Sequence, residues 1–210
     1  MIVRRIIHRS SIRCRSKADM RDRVEKATFR RLDRKGMQLS ELGTRICILG
    51  PSNSGKSTLA AAIGRKISMD VVHLDQLHHV PHSDWKPRPA DEFLALHDEA
   101  IKGRQWVMEG NYSSCMPQRF QRATGVVLLD VSTPTSVFRY MRRTLLESNR
   151  FGALDGGRDS FKWSMIHYIT LVTPRNRRRY IDIYRQISLP KIYLRSLREI
   201  RACYREWELK

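Results

Sequence analysis

A glycine-rich segment, Gly50–Ser57, constrains the fold of this chain more than any other feature. It reads Gly-Pro-Ser-Asn-Ser-Gly-Lys-Ser and matches the pattern GxxxxGK[ST] in full. An apolar run at 45–50 leads into it and helix-forming residues follow it, which predicts a strand, a tight loop and a helix. Glycines let such a loop curl until its N–H groups point at phosphate oxygens, and the helix N-terminus favours negative charge. The segment therefore predicts a phosphate-binding loop.

Individual residues of this loop have expected roles in binding a nucleotide. Lys56 is expected to bridge the β- and γ-phosphates, and Ser57 is expected to ligate Mg²⁺. ATP and Mg²⁺ are therefore the expected cofactors. The expected nucleotide-binding residues are Gly50, Pro51, Ser52, Asn53, Ser54, Gly55, Lys56, Ser57 and Thr58.

Short apolar segments alternate with helical segments along the rest of the chain. Short apolar strands that alternate with helices are typical of a parallel sheet covered on both faces, so an α/β fold is predicted. Pro174 predicts the end of a helix near 170–174, because the residue before a proline avoids the helical backbone. Strands are predicted at 45–50, 71–75, 106–110, 125–131 and 191–194, with helices at 90–102, after 132–134, over 163–187 and after Ser196.

The size and composition of the chain exclude several classes of protein. Its 210 residues suit one ordinary domain, and 41% hydrophobic residues are enough for a core. No apolar run approaches the roughly 18–20 residues that cross a bilayer, which excludes an integral membrane protein. The four cysteines are far apart and form no CxxC pair, so a disulfide scaffold is not expected. A reducing compartment, the cytoplasm, is the expected location.

The formal charge of +19 is unevenly distributed along the chain. Residues 1–42 contain 13 Lys and Arg against 5 Asp and Glu, a net of +8, which leaves +11 for the remaining 168 residues. We interpret 1–42 as a basic, poorly ordered N-terminal extension and 43–210 as one domain. A transit peptide, or an internal start at Met20 or Met37, are alternatives for the extension. The excess charge fits a nucleic acid, a membrane surface or a small anionic substrate.

Three acidic residues come at or near the ends of predicted strands, where a metal-organising carboxylate is expected. They are Asp75 at the end of the second strand, Glu109 at the end of the third and Asp130 at the end of the fourth. Asp130 fits the pattern of four apolar residues followed by Asp. The pattern is met by any buried strand that ends in Asp, so the residues alone leave the three alternatives open.

A series of short motifs follows the phosphate loop: HLDQLHH at 73–79, Trp85 with Pro87, Phe93, WVMEGNY at 106–112, VVLLDV at 126–131 and RYMRRTLLESNR at 139–150. Their order resembles that in small bacterial P-loop proteins described as adenylate-kinase-like ATPases or FlaR-like "DNA topology modulation" proteins, over residues 44–208. The resemblance implies a three-layer P-loop NTPase fold of the nucleotide-kinase type. It implies a five-stranded parallel sheet in the order 2-3-1-4-5, a substrate-binding segment after the second strand and an Arg-rich lid after the fourth.

The resemblance also implies roles for two of the acidic residues. It places the third strand beside the phosphate-loop strand, which makes Glu109 the candidate that organises Mg²⁺ together with Ser57. Related proteins more often have Asp-Gly-Asn-Tyr where this chain has Glu109-Gly110-Asn111-Tyr112. Asp75 would face the acceptor as a general base or a hydroxyl-binding group, since a nearby carboxylate can orient a hydroxyl and take its proton.

Several arginines occur where the lid is expected. Arg139, Arg142 and Arg143 share one helix face by their i, i+3, i+4 spacing, and Arg150 and Arg158 follow in a glycine-containing segment. Arginine stabilises the charge of a phosphoryl group in transit. Arg143 and Arg150 are the expected catalytic arginines, beside Lys56 and Asp75. A second cluster at 175–179 is expected to bind phosphates or nucleic acid, or to be solvated.

These features favour a kinase-like phosphotransferase or ATPase that uses ATP and Mg²⁺ and acts on a small acceptor. A nucleic-acid-associated ATPase or polynucleotide 5′-hydroxyl kinase is the alternative, with the basic extension as the binding element. A nucleotide-binding module without turnover is a third hypothesis. The sequence identifies neither the acceptor nor the oligomeric state.

Overall fold

Five strands form a single parallel sheet in the order β2-β3-β1-β4-β5. The computed structural model describes residues 36–83, 85–146 and 163–210. The observed sheet confirms the predicted α/β fold and strand order. The strands are β1 (Arg45–Leu49), β2 (Val71–His73), β3 (Trp106–Glu109), β4 (Gly125–Leu129) and β5 (Lys191–Leu194).

Helices connect the strands and cover the sheet. The final helix begins as predicted, because the Ser196 Oγ accepts a hydrogen bond from the Glu199 N–H at 3.2 Å. The α-helices in the described residues are α1 (Lys56–Ile67), α2 (Leu74–His78), α3 (Ala90–Ala100), α4 (Met116–Arg122), α5 (Thr133–Leu146), α6 (Trp163–His167), α7 (Thr173–Gln186) and α8 (Leu197–Glu206).

The helix end predicted near Pro174 is wrong. A π-helical turn, Tyr168–Val172, joins α6 directly to α7. Pro174 lies in the first turn of α7, where a missing N–H is tolerated. The helical path therefore continues through the proline.

Two of the three internal strands, β1 and β4, are apolar because both of their faces are covered. Every residue of β4 is buried, and β1 is buried from Ile46 onward. On one face, Ile46 and Ile48 belong to a single cluster with Leu59 of α1 and Ile200 of α8. This packing fixes α1, and with it the phosphate loop, against the middle of the sheet.

The compact unit begins at Gly36, seven residues before the predicted boundary at residue 43. Leu39 and Leu42 are buried in the core. The indole N–H of Trp207 donates to the Met37 carbonyl at 2.7 Å, which ties this stretch to the C-terminus of the chain. The rest of the extension, 1–35, lies outside the described residues. No helix in the described part of the chain has the length and hydropathy needed to cross a membrane.

Candidate active site

The phosphate loop joins β1 to α1 and has the curled backbone that its glycines predict. Gly50, Asn53 and Gly55 have positive φ values of 148°, 60° and 97°. A Cβ on Gly50 would lie 2.5 Å from the Leu129 carbonyl oxygen, and one on Gly55 would lie 2.8 Å from the Arg139 guanidinium. Glycine is therefore required at both positions. The curled loop and the N-terminus of α1 form a cradle that fits an anion such as a nucleotide phosphate.

Polar side chains hold the two ends of this loop. Lys56 Nζ donates to the Pro51 carbonyl at 3.1 Å, so the ammonium group reaches across the loop. Asn111 makes two hydrogen bonds with the backbone of Gly50. Its amide nitrogen donates to the Gly50 carbonyl at 2.6 Å, and its amide oxygen accepts from the Gly50 N–H at 3.1 Å. Asn111 was part of the WVMEGNY motif, but the sequence gave no sign that it supports the loop.

Glu109, at the end of β3, faces the first turn of α1. The Ser57 hydroxyl donates to Glu109 Oε1 at 2.9 Å, and His73 Nδ1 lies 2.9 Å from the same oxygen. The Glu109 residue is only 3% exposed. A hydroxyl and a carboxylate beside a phosphate cradle are the hard oxygen ligands that Mg²⁺ prefers. The pair predicted as the metal site, Ser57 and Glu109, is therefore brought together and fits the ion.

The surroundings of Glu109 keep it charged. Burial alone would raise the pKa of its carboxyl, but hydrogen bonds from His73 and Ser57 and the positive charge of Lys56 outweigh burial and hold the pKa below its usual range. A carboxylate is therefore present beside the loop at neutral pH. This is the protonation state that binding of Mg²⁺ requires.

The sequence predicted Asp75 at the end of a strand. In the structure it lies in the first turn of α2. Its exposed carboxylate accepts a hydrogen bond from the Tyr112 hydroxyl at 2.7 Å. Burial and the negative charge of Asp75 raise the pKa of Tyr112, so the phenol remains the donor. Asp75 is thus fixed by β3-edge residues while staying open to an acceptor.

Aromatic rings surround this carboxylate. The His78 ring lies 4.7 Å from the Tyr112 ring and 5.1 Å from the buried Phe93 ring, measured between centroids. Burial, helped by the neighbouring His79, lowers the pKa of His78, which favours the neutral imidazole. Tyr168 of the π-helical turn interacts electrostatically with Asp75, and burial together with that charge raises its pKa.

Arg139 contacts the phosphate loop. Its Nη1 donates to the Ser54 carbonyl at 3.2 Å, and its guanidinium lies beside Gly55. Arg143, the residue expected to act, has its guanidinium carbon 5.5 Å from the centroid of the Tyr140 ring. Its catalytic role stays a prediction, and Arg150 lies outside the described residues. The sequence put Arg139 on one helix face with Arg142 and Arg143, and the spacing alone did not single it out.

The Asp130 carboxylate bonds to residues outside the phosphate loop and makes no hydrogen bond with Ser57. Its carboxylate accepts hydrogen bonds from the Tyr193 hydroxyl and from Arg177, whose Nε lies 2.5 Å from Oδ1. Arg177 belongs to the cluster at 175–179, so this ion pair ties α7 to the sheet beside the loop. The Asp130 alternative for Mg²⁺ is therefore the weakest of the three.

Replacing Asp130 with asparagine should destabilise the fold and leave the Mg²⁺ dependence of ATP turnover unchanged. The amide keeps the shape but cannot accept all of these hydrogen bonds in a buried position, which costs about 1–3 kcal/mol of unfolding free energy. Denaturant unfolding measures the loss. Asp182→Asn, which changes an exposed pair with Arg185 on α7, is the matched control and should stay within about 0.5 kcal/mol. Unchanged stability, or a lost response to Mg²⁺, would contradict this role.

Comparisons with known proteins support the fold. No protein-family model and no curated protein sequence matches the chain. A solved gluconokinase from Sinorhizobium meliloti is 17% identical with a TM-score of 0.46, and the match covers 80% of this chain and 93% of that one. A shikimate kinase from Acinetobacter baumannii, in complex with shikimate, is 12% identical with a TM-score of 0.50 over 79% of this chain and 92% of that one. The narrower resemblance to FlaR-like proteins stays a prediction. With its strand order and phosphate loop, the chain has the P-loop fold of the nucleotide-kinase type.

Proposed function

We propose that the chain is an ATP- and Mg²⁺-dependent phosphotransferase that acts on a small acceptor. The observation that carries this proposal is that two carboxylates, each with its own polar partner, follow neighbouring strands at one edge of the sheet. Glu109 lies against Ser57 of the phosphate loop, and Asp75 lies on the neighbouring segment with its carboxylate exposed. In this proposal one carboxylate would organise a metal ion and the other would orient a hydroxyl group.

Each residue has a distinct task in such a transfer. The loop N–H groups and Lys56 would bind the phosphates, while Ser57 and Glu109 would hold Mg²⁺, which supplies charge neutralisation when bound. Asp75 would orient the acceptor hydroxyl and take its proton. Arg139 at the loop, with Arg143 and Arg150 as further candidates, would stabilise the charge that spreads over the moving phosphoryl group.

An acceptor screen tests this proposal. ATP consumption by the full chain with Mg²⁺ is measured against nucleoside monophosphates, small alcohols, sugar acids and 5′-hydroxyl oligonucleotides. At least one small acceptor should stimulate turnover above the hydrolysis seen with ATP alone, and should itself become phosphorylated. Absence of acceptor-dependent turnover across the panel would overturn the proposal of a small-molecule kinase.

A nucleic-acid-associated activity is the second candidate. The observation that favours it is a group of exposed arginines on α7, Arg175, Arg178 and Arg179. Phosphate contacts of this kind give an affinity that falls steeply as salt rises. Anisotropy with a labelled oligonucleotide over a salt series distinguishes the candidates, because substitution of the three arginines by alanine should weaken binding only if this surface is used.

A further inference from the structure

His73 is a buried residue that the proposed chemistry leaves unassigned. It is the last residue of β2 and is 9% exposed. Its Nδ1 lies 2.9 Å from Glu109 Oε1. A charged carboxylate can only accept hydrogen bonds, so Nδ1 carries the proton and donates it to Glu109.

The sheet itself fixes this contact. His73 and Glu109 are direct register partners in the parallel pairing of β2 with β3. Register partners point to the same face of a sheet, so the two side chains meet without any loop having to position them. The imidazole is therefore held by the backbone ladder and acts as a rigid hydrogen-bond donor.

The hydrogen bond from His73 restrains the conformation of the Glu109 side chain. A glutamate has one more rotatable bond than an aspartate, so it needs more restraint to keep one conformation. The His73 and Ser57 hydrogen bonds both end on Oε1, whereas Oε2 accepts none from the described residues. Oε2 is thus left for the metal ion or for water bound to it.

We infer that His73 is a positioning residue for the Mg²⁺ site: it holds Glu109 in the one orientation that presents a free carboxylate oxygen beside Ser57. This inference rests on the proposed function. Hydrogen-bond partners behind a metal ligand commonly determine metal affinity by about 10- to 100-fold. His73 acts only through Glu109 and needs no contact with nucleotide or acceptor.

Two substitutions of His73 in the full chain separate positioning from packing. His73→Asn keeps an N–H donor close to the place of Nδ1, and His73→Leu keeps the bulk but removes the donor. The affinity for ATP is measured by calorimetry in EDTA and over a Mg²⁺ series, and Mn²⁺ binding in the presence of ATP is followed by electron paramagnetic resonance. His73→Leu should weaken apparent Mg²⁺ and Mn²⁺ affinity by about 10- to 100-fold with unchanged ATP affinity in EDTA. His73→Asn should restore most of the loss.

His97→Leu is the matched control. His97 is fully buried and also hydrogen-bonds a carboxylate, that of Asp98 at 3.1 Å. Among the described residues, no hydrogen bond joins its side chain to the phosphate loop. This variant should lose stability and keep its metal affinity. If His73→Leu does not fold, His73→Gln replaces it, since its donor lies one methylene farther out and should misplace Glu109.

The outcomes are distinct. If the wild type binds ATP without any response to Mg²⁺ or Mn²⁺, the proposed function itself fails. If the wild type responds to both ions and His73→Leu has the same metal affinity, His73 has no positioning role. Equal metal affinities of His73→Asn and His73→Gln would likewise overturn the inference. A loss of metal affinity in His73→Gln alone would support it.

Discussion

Replacement of Lys56 by alanine is expected to lower ATP turnover by at least about 10²- to 10³-fold, the cost of removing one preorganised group that stabilises transition-state charge. Its ammonium group reaches across the phosphate loop to the Pro51 carbonyl and has no role in the core. The substitution therefore removes a positive charge from the expected phosphate site without opening a cavity. The melting temperature and circular dichroism of the variant should match those of the wild type.

Lys66→Ala is the control for this substitution. Lys66 lies at the other end of α1, its side chain is 40% exposed, and it pairs with Glu208 at the surface. This variant should keep wild-type turnover, because its charge lies away from the loop. Full activity in the Lys56 variant would show that Gly50–Ser57 does not bind the phosphates that react.

Replacement of Asp75 by asparagine is expected to lower acceptor-dependent turnover by about 10²- to 10⁴-fold, as loss of a general base does. The amide oxygen can still accept the hydrogen bond from Tyr112, so the local structure should survive. Asparagine cannot take a proton from a hydroxyl group. Affinity for ATP should stay unchanged, because Asp75 makes no contact with the phosphate loop among the described residues.

The measurement is phosphoryl transfer from ATP to the acceptor that the screen identifies, with ATP binding followed in parallel. Asp91→Asn, an exposed position in the first turn of α3, serves as the control and should behave as the wild type. Equal stimulation by the acceptor in the Asp75 variant would remove Asp75 from the reaction. A loss of ATP affinity would instead move it to the nucleotide side of the site.

The sheet and the phosphate loop could be predicted because local patterns specify them. Each strand is a short apolar run, and the glycines at positions 50 and 55 are needed for positive φ values that other residues rarely adopt. The resemblance to P-loop kinases supplied the strand order, from which the meeting of Ser57 with Glu109 follows. Ser57 and Glu109 are far apart in sequence, and strand order alone was enough to pair them.

The contacts that were missed depend on tertiary packing. The short helices α2 and α4 have too few residues for a helical period, so Asp75 was placed at a strand end. The two hydrogen bonds between Asn111 and Gly50 join residues 61 positions apart, and no local sequence pattern predicts them. Helix spacing put Arg139 and Arg143 on one face but could not show that Arg139 reaches the loop.

The core also includes residues that the sequence assigned to the basic extension. Residues 36–42 lie in a strongly basic region, and charge alone made them part of the extension. Leu39 and Leu42 nevertheless complete the core, and Trp207 fixes Met37 from the opposite end of the chain. Burial of a few apolar side chains outweighs the composition of the surrounding segment.

Calorimetric titration of the full chain with ATP, with and without Mg²⁺, tests the central claim most directly. The predicted result is one saturable ATP site per chain, with affinity that increases when Mg²⁺ is present and binding that is lost or strongly weakened in Lys56→Ala. Absence of saturable binding at millimolar ATP with Mg²⁺, or equal binding by the wild type and the Lys56 variant, would contradict the assignment of this sheet edge as a nucleotide-phosphate site.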